Sequence, residues 1–281
     1  MLRSVALDDL RVLAVSGADH RGFLQGQLTQ DVASARTDAT VMAGWADAKG
    51  RLLFAGHLFS TQVATEDALA LLVPAEMADT LLKRLRMYVL RAKAQAMLLD
   101  LTIVGLIGAP TPTVAGQRVQ ILGEPDRHLL LMPTTAAAQD TTASSPRSDW
   151  LLEDIRAGIP TIVSGTAGEF VAQMLNLDLL EGISFTKGCY TGQEIVARMK
   201  YLGRVKRRML RFGGAMSAPA PGSALYAARG VAGQVVSAAP TAAGCEFLAV
   251  VVLDDLPGPF FLDEPQTQVL RRVDLPYDVP L

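Results

Sequence analysis

Apolar residues cluster in strand-length runs over residues 10–15, 41–46, 51–59, 68–73, 231–237 and 247–253. Such short runs are the mark of half-buried and buried strands. Two other stretches carry a helical repeat. In residues 17–30, Phe23, Leu24 and Leu28 share one face. After Pro74, Met77, Leu81, Leu85 and Val89 recur at helical spacing and predict an amphipathic helix. The polar segment 60–67 joins two apolar runs and predicts a hairpin. Residues 97–108 then read as one long strand. The order strand, strand, helix, strand suggests half of a ferredoxin-like α/β sandwich.

The second half of the chain is punctuated differently. Residues 134–147 are rich in Thr, Ala and Ser, with Pro146, and mark a loop or domain boundary. Ser148 is the expected cap of a helix through Arg156, ended by Gly158 and Pro160. Residues 215–222 form a Pro/Ala/Gly linker. The β-rich remainder, with its proline-punctuated tail 271–281, suggests a small β-barrel or sandwich.

Composition narrows the class. A chain of 281 residues can hold two or three compact units. Half of it is hydrophobic, with a mean hydropathy of +0.27. No apolar run reaches the roughly 18–20 residues of a membrane span. Asp8, Asp9 and Arg11 interrupt any signal-peptide pattern at the N-terminus. A cytoplasmic protein with no membrane partner is expected. Two cysteines, Cys189 and Cys245, suit a reducing compartment and cannot ligate an ordinary iron–sulfur cluster alone. His20, His57 and His128 are scattered, so no metal site is expected. A net charge of −2 does not suggest a general nucleic-acid binder.

The candidate chemistry lies in Lys187-Gly188-Cys189-Tyr190-Thr191-Gly192-Gln193-Glu194-Ile195. A thiol reacts as the thiolate, and a nearby cation or helix N-terminus favours that form. Thr191 and Glu194 fit a capping box, which predicts a helix starting just after Cys189. Gly188 and Gly192 would let the backbone approach a ligand or adopt positive φ. Each residue has a plainer reading beside the functional one. Cys189 is either an activated thiol or a small buried hydrophobe. Lys187 either stabilises the thiolate or an anionic ligand, or is a solvated lysine. Gln193 and Glu194 either meet a ligand or cap the helix, with capping the first reading for Glu194.

This nonapeptide resembles the Lys-Gly-Cys-aromatic-x-Gly-Gln-Glu signature of the YgfZ family, folate-binding relatives of the glycine-cleavage T-protein linked to iron–sulfur enzyme maintenance. Gly17-Ala18-Asp19, Phe23-Leu24-Gln25-Gly26-Gln27-Leu28-Thr29-Gln30-Asp31-Val32, Asp47-Ala48-Lys49-Gly50-Arg51, Arg156-Ala157-Gly158-Ile159-Pro160 and Gln173-Met174-Leu175-Asn176-Leu177 are similar to family segments in family order. The resemblance implies an α+β, three-domain T-protein-like arrangement with ferredoxin-like α/β domains and a C-terminal small β-barrel. Residues 1–46 plus 147–208 would form a discontinuous folate-binding domain carrying the Cys motif. Residues 47–146 would be an inserted ferredoxin-like domain, and 209–281 the barrel.

The resemblance also implies tetrahydrofolate, or a one-carbon derivative, as cofactor. Cys189 and Lys187 would carry the chemistry. Trp150, Gly188, Tyr190, Gly192, Gln193, Glu194 and Arg156 would line the folate site. Trp150 would stack on the pterin, or serve as simple core; Trp45 reads as core. Departures accompany the match. Leu10 stands where relatives carry a second aromatic. Phe54 and Ala55 stand where the T-protein has its catalytic carboxylates, and neither can do acid–base work. Arg156 falls where that enzyme holds folate with a glutamate. An accessory factor for iron–sulfur enzymes, including tRNA-modifying ones, is therefore the first reading. A tetrahydrofolate-dependent aminomethyl or one-carbon transferase is the alternative.

One further feature stands out. From Arg198 through Lys200, Arg204, Lys206, Arg207 and Arg208 to Arg211 the chain holds seven cations and no acid. This run fits a folate polyglutamate tail, an RNA backbone or an acidic protein. It equally fits a solvated helix end, with Gly203 as the C-cap. A non-catalytic module that docks through this run is the third reading.

Overall fold

The computed structural model describes residues 2–108, 116–134, 143–263 and 267–281. In chain order its elements are β1 (Arg3–Ala6), β2 (Leu10–Ser16), α1 (His20–Gln25), β3 (Val41–Ala46), β4 (Leu52–Val63), β5 (Glu66–Pro74), α2 (Ala75–Tyr88), β6 (Gln95–Leu99), β7 (Leu101–Ile107), β8 (Gln117–Gln120), β9 (Arg127–Pro133), α3 (Arg147–Ala157), α4 (Gln193–Tyr201), β10 (Arg207–Gly214), β11 (Ala224–Ala227), β12 (Gly230–Thr241), β13 (Gly244–Val252) and β14 (Arg271–Val273). The strands form three sheets, ordered β1-β7-β9-β8, β3-β4-β5-β2-β6 and β11-β12-β13-β10-β14. No helix among the described residues is long and apolar enough to cross a membrane.

The chain divides into two compact units. The first comprises residues 1–45, 56–150 and 181–191. Within it, β2 lies between β5 and β6, antiparallel to both. Both faces of this central strand are covered, and Leu13, Ala14 and Val15 are fully enclosed. The amphipathic stripe of α2 buries Met77, Leu81 and Leu85 as its spacing predicts, whereas Val89 falls just past the helix end. The second unit comprises residues 46–55, 151–180 and 192–281. Its core stacks Phe212 on Phe247, with Phe260 edge-on, beneath Leu225, Val235 and Val251. Among the described residues β11 and β14 are the ends of this sheet and do not pair with each other, so no closed barrel forms.

Several elements depart from the sequence pattern. The helix expected over 17–30 spans only His20–Gln25. Beyond Gly26 the backbone turns to partners distant in sequence, as when Thr29 donates to Gly44. The single strand expected over 97–108 is two. Its break at Asp100 sends Gln95–Leu99 to β2 and Leu101–Ile107 to β9, in different sheets. The hairpin strands run on through Val63 and resume at Glu66, closing through Ala64 at φ 55°. Ser148 lies inside α3, which starts at Arg147. Leu202, ahead of Gly203, caps α4. Of the expected boundary at 134–147, residues 135–142 lie outside the described residues. The short strands β1, β8 and β9 carried no usable alternation.

Candidate functional site

The first half of the Cys motif, through Thr191, is fastened along a second motif about 150 positions earlier, both within the first unit. Gln30 Nε2 donates to the Glu181 carbonyl, and Thr29 Oγ1 donates to the Gly182 carbonyl at 2.6 Å. Ser184 N donates to the Thr29 carbonyl at 2.9 Å, and Thr191 N to the Gly26 carbonyl at 3.1 Å. Between these ties Lys187 Nζ donates to the carbonyls of Leu28, at 2.7 Å, and Gln30, at 2.9 Å. Thr29 Oγ1 also accepts from Gly44 N at 2.8 Å, which fixes the strip against β3. Each bond satisfies a buried backbone group that would otherwise be costly.

The loop so fastened exposes one nucleophile. Cys189 and Gly188 are exposed, while Lys187 and Tyr190 on either side are buried. Lys187 is therefore no solvated lysine. Its ammonium sits 5.1 Å from the Tyr190 ring centroid and is spent on the two carbonyls. Burial pushes its pKa down to about 8, with Asp31 pulling the other way. Burial likewise pushes the Tyr190 phenol up to about 12. A Cβ built on Gly188 meets nothing within 4 Å, so space is open beside the thiol. In the same strip Gln27 Oε1 is buried without a hydrogen-bond partner.

The following residues belong to the second unit. Gly192 has φ 81° and serves as the N-cap of α4. A Cβ there would lie 2.7 Å from the Asp47 carbonyl oxygen, so only glycine fits. The turn it packs on is built by Asp47, whose Oδ1 accepts from Lys49 N at 2.8 Å and Arg51 N at 2.9 Å. Gly50, at φ 73°, faces Ile195 at a spacing that admits no Cβ. The expected capping box does not form. With Gly192 as the cap, Glu194 bonds instead to Arg198, one turn on, at 2.7 Å. Gln193, the first residue of α4, is half-buried.

No family model matches the chain. Among known proteins it is 36% identical, over 248 residues, to the tRNA-modifying protein YgfZ of Vibrio vulnificus strain YJ016, covering 80% of this chain and 74% of that one. To the tRNA-modifying protein YgfZ of Yersinia enterocolitica it is 31% identical over 312 aligned positions, covering 99% of this chain and 93% of the relative. The chain belongs to the YgfZ family. Among solved structures, aminomethyltransferase T of the glycine cleavage system from Bartonella henselae matches with a TM-score of 0.65, across 97% of this chain and 84% of that one. At 13% identity that likeness shows the fold, a mixed α/β T-protein fold.

The remaining family positions are placed as follows. Trp150 is 2% exposed, pressed against Gly105, with the Arg127 guanidinium carbon 4.2 Å from its ring centroid. Leu10 is buried in β2 opposite Pro74. Arg156, in the second unit, bonds Glu246 at 3.2 Å and lies 3.7 Å from Glu153. Burial would raise the Glu246 pKa, but hydrogen bonds from Arg211 and Arg156 hold it below the usual carboxylate range. Phe54 and Ala55 are buried in β4.

The cation run is not a uniform patch. Arg208 is buried and paired bidentately with Asp178, at 2.6 and 2.9 Å, and Arg211 with Glu246. Both cations are held in ion pairs, and Arg208 is no part of the exposed surface. Strand alternation explains the split, since β10 turns Arg207 outward and Arg208 inward. Sequence reasoning also missed Thr29 and Gln30, whose polarity in an otherwise helical pattern was the available signal.

Proposed function

We propose that this protein is a tetrahydrofolate-binding accessory factor that maintains iron–sulfur enzymes, tRNA-modifying ones among them, with Cys189 as its working thiol. The observation that carries this reading is the loop around Cys189, held by paired family segments yet open at the thiol itself. The naming of its relatives as tRNA-modifying proteins supports the client class. The open space at Gly188 and the unpartnered Gln27 Oε1 suit a polar, flat ligand whose N–H groups need an acceptor. Gly188, Tyr190, Gly192, Gln193 and Glu194 would line it. Trp150, with Arg127 over its indole, and Arg156, paired with Glu246, belong to the same proposal. The folate supplies one-carbon or redox chemistry when bound; the chain supplies an accessible thiol on a fixed backbone. The family's division into 1–46 with 147–208, 47–146 and 209–281, with ferredoxin-like parts, belongs to the same proposal. The order strand, strand, helix, strand of β4, β5, α2 and β6, with all three strands in one sheet, supports its ferredoxin-like part.

Aminomethyl transfer is the weaker reading, because buried Phe54 and Ala55 offer no titratable group to a reacting proton. Calorimetric titration with tetrahydrofolate tests the first. Saturable binding is expected, weakened about tenfold or more by Gly188→Phe, which fills the open space; a tenfold loss corresponds to about 1.4 kcal/mol. Absence of binding to the wild type, or no effect of Gly188→Phe, would overturn the folate assignment.

A further inference from the structure

The second unit holds a cavity of about 360 Å³ at the C-terminal end of α4, lined among others by Gln173, Asp178, Met199, Lys200, Arg204 and Arg208. Its volume lies within the roughly 300–1,000 Å³ of small-molecule sites. Two of its residues are buried and rigidly held. Gln173 is 1% exposed, and its amide nitrogen donates to the Val196 carbonyl at 2.7 Å. Arg208 is 5% exposed and is locked by Asp178 and by a 3.0 Å bond to the Gln173 carbonyl. Each keeps one buried polar atom without a partner: Gln173 Oε1, an acceptor, and Arg208 Nε, a donor. Groups so fixed cannot turn to find partners elsewhere, and leaving them unmet is costly.

The rim has a different character. Lys200 and Arg204, which line the cavity, are exposed at the end of α4. Tyr201, next in the chain to Lys200, is 67% exposed. No acid occurs from Ile195 to Arg211. Cations beside an exposed aromatic ring, next to a buried donor and acceptor, match the parts of a single-stranded nucleotide. The phosphate meets Lys and Arg, a base stacks on Tyr, and a base edge offers both acceptor and donor.

We propose that this cavity and its rim bind a nucleotide unit of single-stranded RNA. Lys200 and Arg204 hold backbone phosphates, Tyr201 stacks a base, and Arg208 Nε and Gln173 Oε1 meet a polar base edge. An acidic peptide would answer the rim charges and its backbone the two buried atoms, but it brings no base to stack on Tyr201. The inference rests on the proposed function in one respect, that RNA is a molecule this protein meets. It is independent of Cys189 and of folate.

The test is fluorescence anisotropy of the full chain with a labelled single-stranded RNA dodecamer, the same RNA as a duplex, and a polyglutamate peptide. Single strands should bind best, with affinity falling as salt rises. Lys200→Ala with Arg204→Ala should weaken binding about tenfold or more, since charge supplies much of such affinity. Tyr201→Ala should cost about 5- to 150-fold, as for one stacked base. These side chains are exposed, and matching melting curves establish that the variants fold. Cys189→Ala should bind RNA as the wild type does, so loss of the RNA result leaves the thiol reading standing. No RNA binding at about 50 mM salt, where phosphate contacts are strong, would overturn the proposal. So would equal affinity for duplex, preference for polyglutamate, or variants that bind like the wild type.

Discussion

Lys187 reached the surface reading from sequence because nothing local marks its partners. Its acceptors are the carbonyls of Leu28 and Gln30, and backbone groups leave no signal in a pattern of side chains. Lys187→Met removes the donor and should destabilise the fold by about 1–3 kcal/mol per unmet carbonyl, read as a shift in denaturant midpoint. The pH dependence has a definite sign. With its pKa near 8 in the fold against an ordinary 10.5, Lys187 sheds its proton in the native state first. Between those values the unfolded chain binds more protons, so this group's contribution to stability rises with pH. The wild type should gain stability relative to Lys187→Met from pH 8 to 10.5, and parallel profiles would contradict the burial account. The glycines were more legible. Gly192→Ala should destabilise by about 1–3 kcal/mol, the cost of forcing an L-residue into a strained backbone region, because φ is 81° and the Asp47 carbonyl blocks a Cβ. Glu194 was misread as a cap because the box pattern does not weigh a competing arginine one turn on.

Among the elements, those with a clean period were legible. The stripe on α2 is marked by its helical period, and the β4–β5 hairpin by apolar runs on either side of a polar turn. Residues 97–108 were not, since one apolar run serves two sheets and only Asp100 marks the exchange. Nor was the cation run, which is helix end, loop and strand in turn, with Arg208 facing inward. Its partner Asp178 lies outside the run. Asp178→Ala should cost about 3–5 kcal/mol by stranding a buried guanidinium. Asp178→Leu combined with Arg208→Met should recover most of that loss, because a well-packed apolar pair replaces a buried ion pair at little cost. A double variant as unstable as the single one would show that the pair itself is indispensable. In β7, Gly105→Ala would place a Cβ 2.3 Å from Trp150 Cε3, and chemical denaturation should register a loss of about 1–3 kcal/mol from overpacking.

At the scale of the whole molecule, residues far apart in sequence meet where the family segments lie. The strip around Gly26 joins the Cys loop, and the turn at Asp47 seats Gly192. The segments were readable one at a time, but their pairing is a tertiary fact with no periodic signal. The chain belongs to the YgfZ family, has the T-protein fold, and carries buried Phe54 and Ala55 in β4. The most direct test is rescue in cells lacking this protein, with tRNA methylthiolation, the product of an iron–sulfur enzyme, as the readout. Wild type and Cys189→Ala would be restored at matched, folded levels. The account predicts that wild type restores the modification and Cys189→Ala does not, though it still binds tetrahydrofolate. Equal restoration by both would contradict it and leave Cys189 without a role in the protein's work.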